Sequence, residues 1–280
     1  MEVILAKSAG FCYGVSRALN TVLDAARAQQ KPMFTLGPLI HNPQEIEKLE
    51  SQGVKSVSDI SDIPAGSIVV MPSHGVSESV MDQAKAADLE IIDVTCPYVN
   101  KVHRVAETLA KNGYQVVILG DKGHTEVRGI LSTAGEEALV VSEASELCSA
   151  KLKDRVGIVA QTTQTRERYQ ALVAEVSSRA YEVRAYNTIC NATSDRQGAA
   201  LEVAEHVDVM LVVGGRNSAN TRRLAEICAH AGVPTHLVEV AGEIDSTWFA
   251  GAKKVGVTAG ASTPDWIIQE VIRKVEELQV

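Results

Sequence analysis

The 280-residue sequence predicts an α/β fold built from three similar parallel-sheet modules. Three observations lead there. Short aliphatic runs alternate with helical patterns along the whole chain, the order that produces parallel sheets. The places where those runs end are unusually polar. And three of the five cysteines, Cys12, Cys96 and Cys190, stand at nearly even intervals, one to each third of the chain.

Taken in order, strands are expected at Met1–Ala6, Ser67–Met71, Glu90–Asp93, Gln115–Leu119, Ala138–Val141, Val156–Ala160, Val207–Val213, His236–Val240 and Lys254–Thr258. Several are near-continuous aliphatic runs, as suits strands covered on both faces. Helical periodicity marks 15–29, Val99–Asn112, Thr165–Ser178, Ser218–His230 and Pro264–Leu278. Gly113 and Gly232 close two of these helices, because glycine adopts the left-handed conformation of a helix stop without strain.

The strand-end strings read LIHN, MPSHGV, DVTCP, LGDKGHTEV, VAQTTQ, TICNAT, VVGGRNSANT and VTAGASTP. Ligands of open α/β sheets bind beyond the carboxyl ends of strands, so these polar residues are site candidates. The strings also repeat in order. One series is His41, His74, Cys96; the next is His124, Thr162, Cys190; the last is Asn217–Asn220 and Ser262, with Cys12 supplying the missing cysteine. The expected modules are therefore 14–96, 97–189, and 190–280 completed by the N-terminal strand 1–13.

Composition narrows the function. A formal net charge of −8 and only 4% aromatic residues argue against a nucleic-acid surface, which needs concentrated Lys and Arg and stacking rings. No apolar run approaches the ~20 residues of a membrane-spanning helix. Five cysteines without close pairs do not make a secreted disulfide framework, so a reducing cytoplasm is the expected compartment.

Cys12, Cys96 and Cys190 lie in turn-like contexts, and a helix pattern starts directly after Cys12. A helix N-terminus stabilises a thiolate. Three such soft ligands suggest a metal site with one position left open. Cys148 and Cys228 fall in helical patterns and read as packing residues. His103, His206 and His230 read as solvated helix positions, and His236 as undecided. His41, His74 and His124 each follow a strand beside Gly or Asn and suit a small anion such as a diphosphate. Ser218, Asn220 and Ser262 sit at expected helix starts, whose N–H groups also favour phosphate oxygens. Glu126 falls in a glycine-flanked loop, where a closed pocket would make it a proton donor near neutral pH. His124-Thr125-Glu126 matches the H-x-E string of zinc deaminases, but no P-C-x-x-C accompanies it. There is also no G-x-G-x-x-G and no Walker A string, so redox chemistry would draw its electrons from another protein.

Read together, AGFCYGV, HN, HGV, DVTCP, GHTEV, QTT, ICNAT, NSAN and TAGAS, in that order, resemble the LytB family of 4-hydroxy-3-methylbut-2-enyl diphosphate reductases over almost the whole chain. The resemblance implies a pseudo-threefold, trefoil-like α/β fold around a central [4Fe–4S] cluster held by Cys12, Cys96 and Cys190. It also implies a diphosphate pocket of His41, His74, His124, Ser218, Asn220 and Ser262. Glu126 would be the proton source, with Thr162 beside it. The implied reaction is reductive dehydroxylation of an allylic diphosphate to isopentenyl and dimethylallyl diphosphates, with electrons from a ferredoxin or flavodoxin type of carrier. The chain departs from the family pattern at Pro72, Thr125 and Ala219.

Overall fold

The computed structural model describes residues 1–28 and 31–278. The chain opens with β1 (Glu2–Leu5) and α1 (Tyr13–Ala28), then runs β2 (Met33–Leu36), α2 (Pro43–Ser51), β3 (Val54–Val57), β4 (Ile68–Met71), α3 (Glu78–Ala86) and β5 (Glu90–Asp93). The middle stretch is α4 (Pro97–Lys111), β6 (Gln115–Leu119), α5 (Thr125–Thr133), β7 (Leu139–Val141), β8 (Arg155–Ala160), α6 (Arg166–Ser177) and β9 (Glu182–Ala185). The last is α7 (Asn191–Ala204), β10 (Val209–Val213), α8 (Ala219–His230), β11 (Thr235–Val238), β12 (Lys254–Ala259) and α9 (Asp265–Glu277).

These strands form three four-stranded sheets, ordered β1-β12-β10-β11, β3-β2-β4-β5 and β7-β6-β8-β9. Every pairing is parallel. The three orders are one pattern. In each, the first strand of a stretch lies beside the third, and the connections leave that seam in opposite directions. The last sheet takes β1 as its fourth strand, in register from Glu2 opposite Lys254 to Leu5 opposite Val257. The expected α/β class with parallel sheets is what the structure has.

The chain groups into two compact units. One, Met1–Ser16 with Ile40–Glu47 and Asn191–Val280, holds the sheet of β1 and β10–β12; the other, Arg17–Leu39 with Lys48–Cys190, holds the other two sheets. Within the first, β10 shows how a continuous aliphatic run is used. Val209, Leu211 and Val213 pack with Ile267, Ile268 and Val271 of α9, while Met210 and Val212 pack with Leu224 and Cys228 of α8. The period of two buries both faces, so no position can be polar. In the second unit β6 does the same, sending Val117 and Leu119 toward α6 and Val116 and Ile118 toward α4 and α5.

Several elements were not legible in the sequence. The strands β2 (MFTL), β3 (VKSV) and β9 (EVRA) carry polar residues inside their short runs, so no aliphatic stretch marks them. Helices α2 and α3 have nine residues each, with few apolar positions. Helix α7 opens Asn-Ala-Thr-Ser-Asp, which reads as a polar turn, and α5 carries Gly129 at mid-length. The expected end of the first helix at Gln29 lies outside the described residues. Gly113 and Gly232 take positive φ values of 78° and 86°, as helix stops require. Among the described residues, no helix is long and apolar enough to cross a membrane.

Candidate functional site

The three cysteines occupy equivalent places in the three sheets. Each follows the strand that sits fourth in its sheet, and each immediately precedes a helix: Cys12 before α1, Cys96 as the N-cap of α4, Cys190 before α7. Each amide donates to a carbonyl two residues past the neighbouring central strand. Cys12 donates to Ala261 at 3.1 Å, Cys96 to Ser73 at 2.9 Å and Cys190 to Thr162 at 3.0 Å. All three side chains are half-buried, and none of the five cysteines is in a disulfide.

Buried and half-buried polar groups that the sequence did not single out hold these turns. Arg17, on α1, donates to the carbonyls of Val94 and Thr95, directly before Cys96, at 2.9 and 2.6 Å. Arg196, 6% exposed on α7, donates to the Gly10 carbonyl at 2.6 Å. The Thr188 hydroxyl bridges the amide and carbonyl of Ala160 near Cys190. A charged donor on a carbonyl is a strong hydrogen bond when shielded from water, so these turns are fixed from behind. The sequence signal of the two arginines was no more than a single Arg in the first half of each helix.

In the larger unit, Glu126 and Thr162 meet. The Thr162 amide and hydroxyl donate to the two carboxylate oxygens of Glu126 at 2.7 and 3.0 Å. Glu126 lies in the first turn of α5, not in the loop expected from sequence, and it is 3% exposed. Burial pushes its carboxyl up to about 7, against the lowering effect of the two Thr162 hydrogen bonds. His124 is the N-cap of α5, its Nδ1 accepting from the Glu126 amide at 3.2 Å, so that nitrogen carries no proton here. Thr125 stands at the first helical position, where a proline would also fit. Gln161, fully buried, accepts the Asp121 amide at 2.8 Å, and His74 is 7% exposed just past β4.

In the smaller unit, the loops after β10 and β12 meet His41. Ser262 donates to the His41 carbonyl at 3.1 Å, and Ser218 caps α8 by accepting from the Thr221 amide at 3.3 Å. Gly214, Gly215 and Gly260 make room. A Cβ on Gly260 would lie 2.1 Å from Thr221 Oγ1, and one on Gly215 2.5 Å from the His41 carbonyl. Here Asn220 Nδ2 and Oδ1, Thr221 Oγ1, Thr258 Oγ1 and Asn42 Nδ2 are all buried without a hydrogen-bond partner. Unsatisfied donors and acceptors beside a capped helix start suit a polar ligand. Burial, reinforced by the Arg222 charge, holds His41 below the usual imidazole range. Asn217 points out to solvent and is no part of this group.

Two of the histidine and cysteine expectations, those for His103 and Cys148, are overturned. His103 is not a solvated position. It is half-buried between Gly75 and Gly129, its Nε2 buried without a hydrogen-bond partner. Cys148 is exposed instead of packed, because it follows a short 3-10 turn, Ala144–Leu147, whose buried residue is Leu147. Cys228 is buried as expected, and burial pushes its thiol up to about 11. His206 and His230 are exposed, and His236 stacks on Trp248 at 4.0 Å. Among the described residues, no three His, Cys, Asp or Glu side chains crowd round a single ion position.

Three matched parallel sheets with polar donors, a buried acid and cysteine turns past their strands define an α/β protein whose chemistry-bearing residues lie at parallel-strand ends. The comparisons are specific. A family model described as LytB protein matches residues 3–276, and the chain belongs to that family. It is 48% identical over 278 residues to the 4-hydroxy-3-methylbut-2-enyl diphosphate reductase of Pelobacter propionicus, covering 99% of each chain. The reductase of the same name from Geobacter sulfurreducens is 46% identical, over 99% of this chain and 98% of that one. Among solved structures, an (E)-4-hydroxy-3-methyl-but-2-enyl diphosphate reductase, described as the terminal enzyme of the non-mevalonate pathway, matches with a TM-score of 0.71 at 42% identity, over 99% of this chain and 100% of that one. The Plasmodium falciparum E-1-hydroxy-2-methyl-but-2-enyl-4-diphosphate reductase matches with a TM-score of 0.92 at 29% identity, over 97% of this chain and 87% of that one.

Proposed function

We propose that this chain catalyses the reductive dehydroxylation of 4-hydroxy-3-methylbut-2-enyl diphosphate, the last step of non-mevalonate isoprenoid synthesis. The observation that supports it most is the chain of contacts from Cys190 through Thr162 to Glu126, a thiol turn and a protonatable buried acid sharing one residue. The reaction breaks the allylic C–O bond and consumes two electrons and two protons. One proton leaves with the hydroxyl as water and the other ends on carbon, giving isopentenyl or dimethylallyl diphosphate according to which end of the allyl system it reaches.

Cys12, Cys96 and Cys190 fit an iron–sulfur cluster. Each is a half-buried thiol at a helix start, and each would ligate its own iron, so the three need not crowd round one point. A [4Fe–4S] cluster bound there supplies an iron without a protein ligand and one-electron transfer. The rest is the work of side chains. His41, His74, His124, Ser218, Asn220 and Ser262 hold the diphosphate and so fix the position of the short carbon chain. Glu126, protonated near neutral pH, delivers the proton that turns the departing hydroxyl into water, and Thr162 aims its carboxyl.

Electrons come from an external carrier of ferredoxin or flavodoxin type, because the chain has no dinucleotide fingerprint. Absence of disulfides suits a cytoplasmic location. The repeating sheet order supports modules at 14–96, 97–189 and 190–280 with 1–13. The test is anaerobic turnover of the allylic diphosphate alcohol with a small chemical reductant. Formation of the two isoprenoid diphosphates supports the reading; an unconsumed substrate contradicts it.

A further inference from the structure

Two exposed tyrosines of the larger unit lie together, apart from the fully exposed Tyr181. Tyr98, 43% exposed, lies two residues after Cys96, and Tyr186, 42% exposed, lies four residues before Cys190. The two face the same groove, about 490 Å³ in volume, together with Pro97, Lys101 and Arg104. Pro97 and Tyr98 belong to the first turn of α4, which Cys96 caps. Tyr186 follows the edge strand β9. The groove is thus lined by residues that neighbour both cysteines of this unit in sequence, Pro97 directly after Cys96 and Tyr186 four before Cys190.

Its charge is opposite to that of the chain as a whole. Lys101 and Arg104 are exposed on α4, and neither is ion-paired with any described carboxylate. The formal net charge of the chain is −8, so a locally basic, aromatic groove is set against an acidic background. Tyr and Arg are the side chains most enriched where proteins dock, and basic rims steer acidic partners into register.

We propose that this groove is the docking site of an acidic one-electron carrier protein. The proposal rests on the reading of Cys96 and Cys190 as cluster ligands, and it deepens it by naming where electrons enter. Tunnelling falls steeply with distance, and a carrier seated here rests on Pro97 and Tyr98, the first turn of the helix that Cys96 caps, and on Tyr186, four residues before Cys190. Electron-transfer encounters are small and weak, so two tyrosines and two cations are an adequate footprint. The partner is acidic because the groove is cationic, and the acidic remainder of the chain repels it from other faces.

The test uses the full chain, purified anaerobically, with a reduced acidic ferredoxin as the probe. Association is measured by stopped flow and titration at low and at physiological salt. The charge reversal K101E/R104E is expected to slow association by ~10-fold or more at low salt and to flatten its salt dependence. The milder K101Q/R104Q should fall between, and turnover with dithionite should match the unsubstituted chain in both. Wild-type association by the charge-reversed variant would overturn the proposal. So would a concentration-dependent dimer that the substitutions dissociate, since a second copy would then own the groove. Binding is read apart from turnover, so a chain inert with dithionite would contradict the reductase reading instead.

Discussion

The Thr162 carbonyl accepts the Cys190 amide at 3.0 Å while the Thr162 amide and hydroxyl both donate to Glu126. One residue thus sets the distance between a thiol turn and a buried acid. Both Thr162 and Glu126 lie beyond strands that meet at the seam of their sheet, β8 and β6, where parallel sheets place ligands.

Replacing Glu126 by Gln keeps the shape and removes the proton. Turnover is expected to fall by at least ~10², a general-acid contribution, with inorganic diphosphate still binding in calorimetry. Stability gives a second readout. Burial lifts the folded carboxyl to about 7 from the 4.5 of an unperturbed glutamate, so its stabilising protonated form is fully present below pH 4.5 and is lost as pH rises through 7. Relative to E126Q, the unsubstituted chain should lose up to about 3 kcal/mol between those limits in denaturant melts at several pH values.

The same group sets a pH limb. As a proton donor it must be protonated, so kcat/KM should hold level below pH 7 and fall above it. The Thr162 hydroxyl bond favours the charged carboxylate. Thr162→Val removes that bond, and the limb should move to higher pH. A limb that stays in place or moves down would contradict the assignment of Glu126.

His103 fills space that Gly129 leaves. A Cβ on Gly129 would lie 2.9 Å from His103 Cε1 and 3.1 Å from Nε2. Gly129→Ala should therefore cost about 1–3 kcal/mol by overpacking, although alanine is the better helix former. With His103→Ala in place, the same change should become stabilising by about 1 kcal/mol. Urea melts of the four chains measure the coupling, and additive effects would show that the imidazole is not wedged there.

Gly260 keeps the turn after β12 close to Thr221. Gly260→Ala brings a Cβ to 2.1 Å from a fully buried hydroxyl, so the turn that carries Ser262 must shift. Diphosphate affinity, read by calorimetry, should drop by ~10-fold or more, as loss of one or two hydrogen bonds to an anion implies. Unchanged affinity would remove this turn from the pocket.

How much of this was legible depended on length and on locality. Strands such as β10 declared themselves because both faces are buried and every position is aliphatic. The strand β2, with Thr35 inside its run, did not, although the equally short β4 and β5 did; pairing with β3 and β4 makes it a strand. Glu126 stood out by its glycines, yet α5 was hidden by Gly129, whose missing side chain is explained only by His103. Arg17 and Arg196 were invisible for a related reason. Their roles lie in carbonyls at Val94, Thr95 and Gly10, and no local pattern encodes a partner so distant in sequence.

On the proposed reading, Cys12, Cys96 and Cys190 together hold an iron–sulfur cluster. Anaerobic purification followed by iron, sulfide and absorption analysis tests it most directly. The account predicts ~4 iron and ~4 sulfide per chain with a band near ~400 nm. Changing any one of the three cysteines to Ser should abolish it, while Cys148→Ser should leave it intact. A colourless, zinc-containing chain would contradict it.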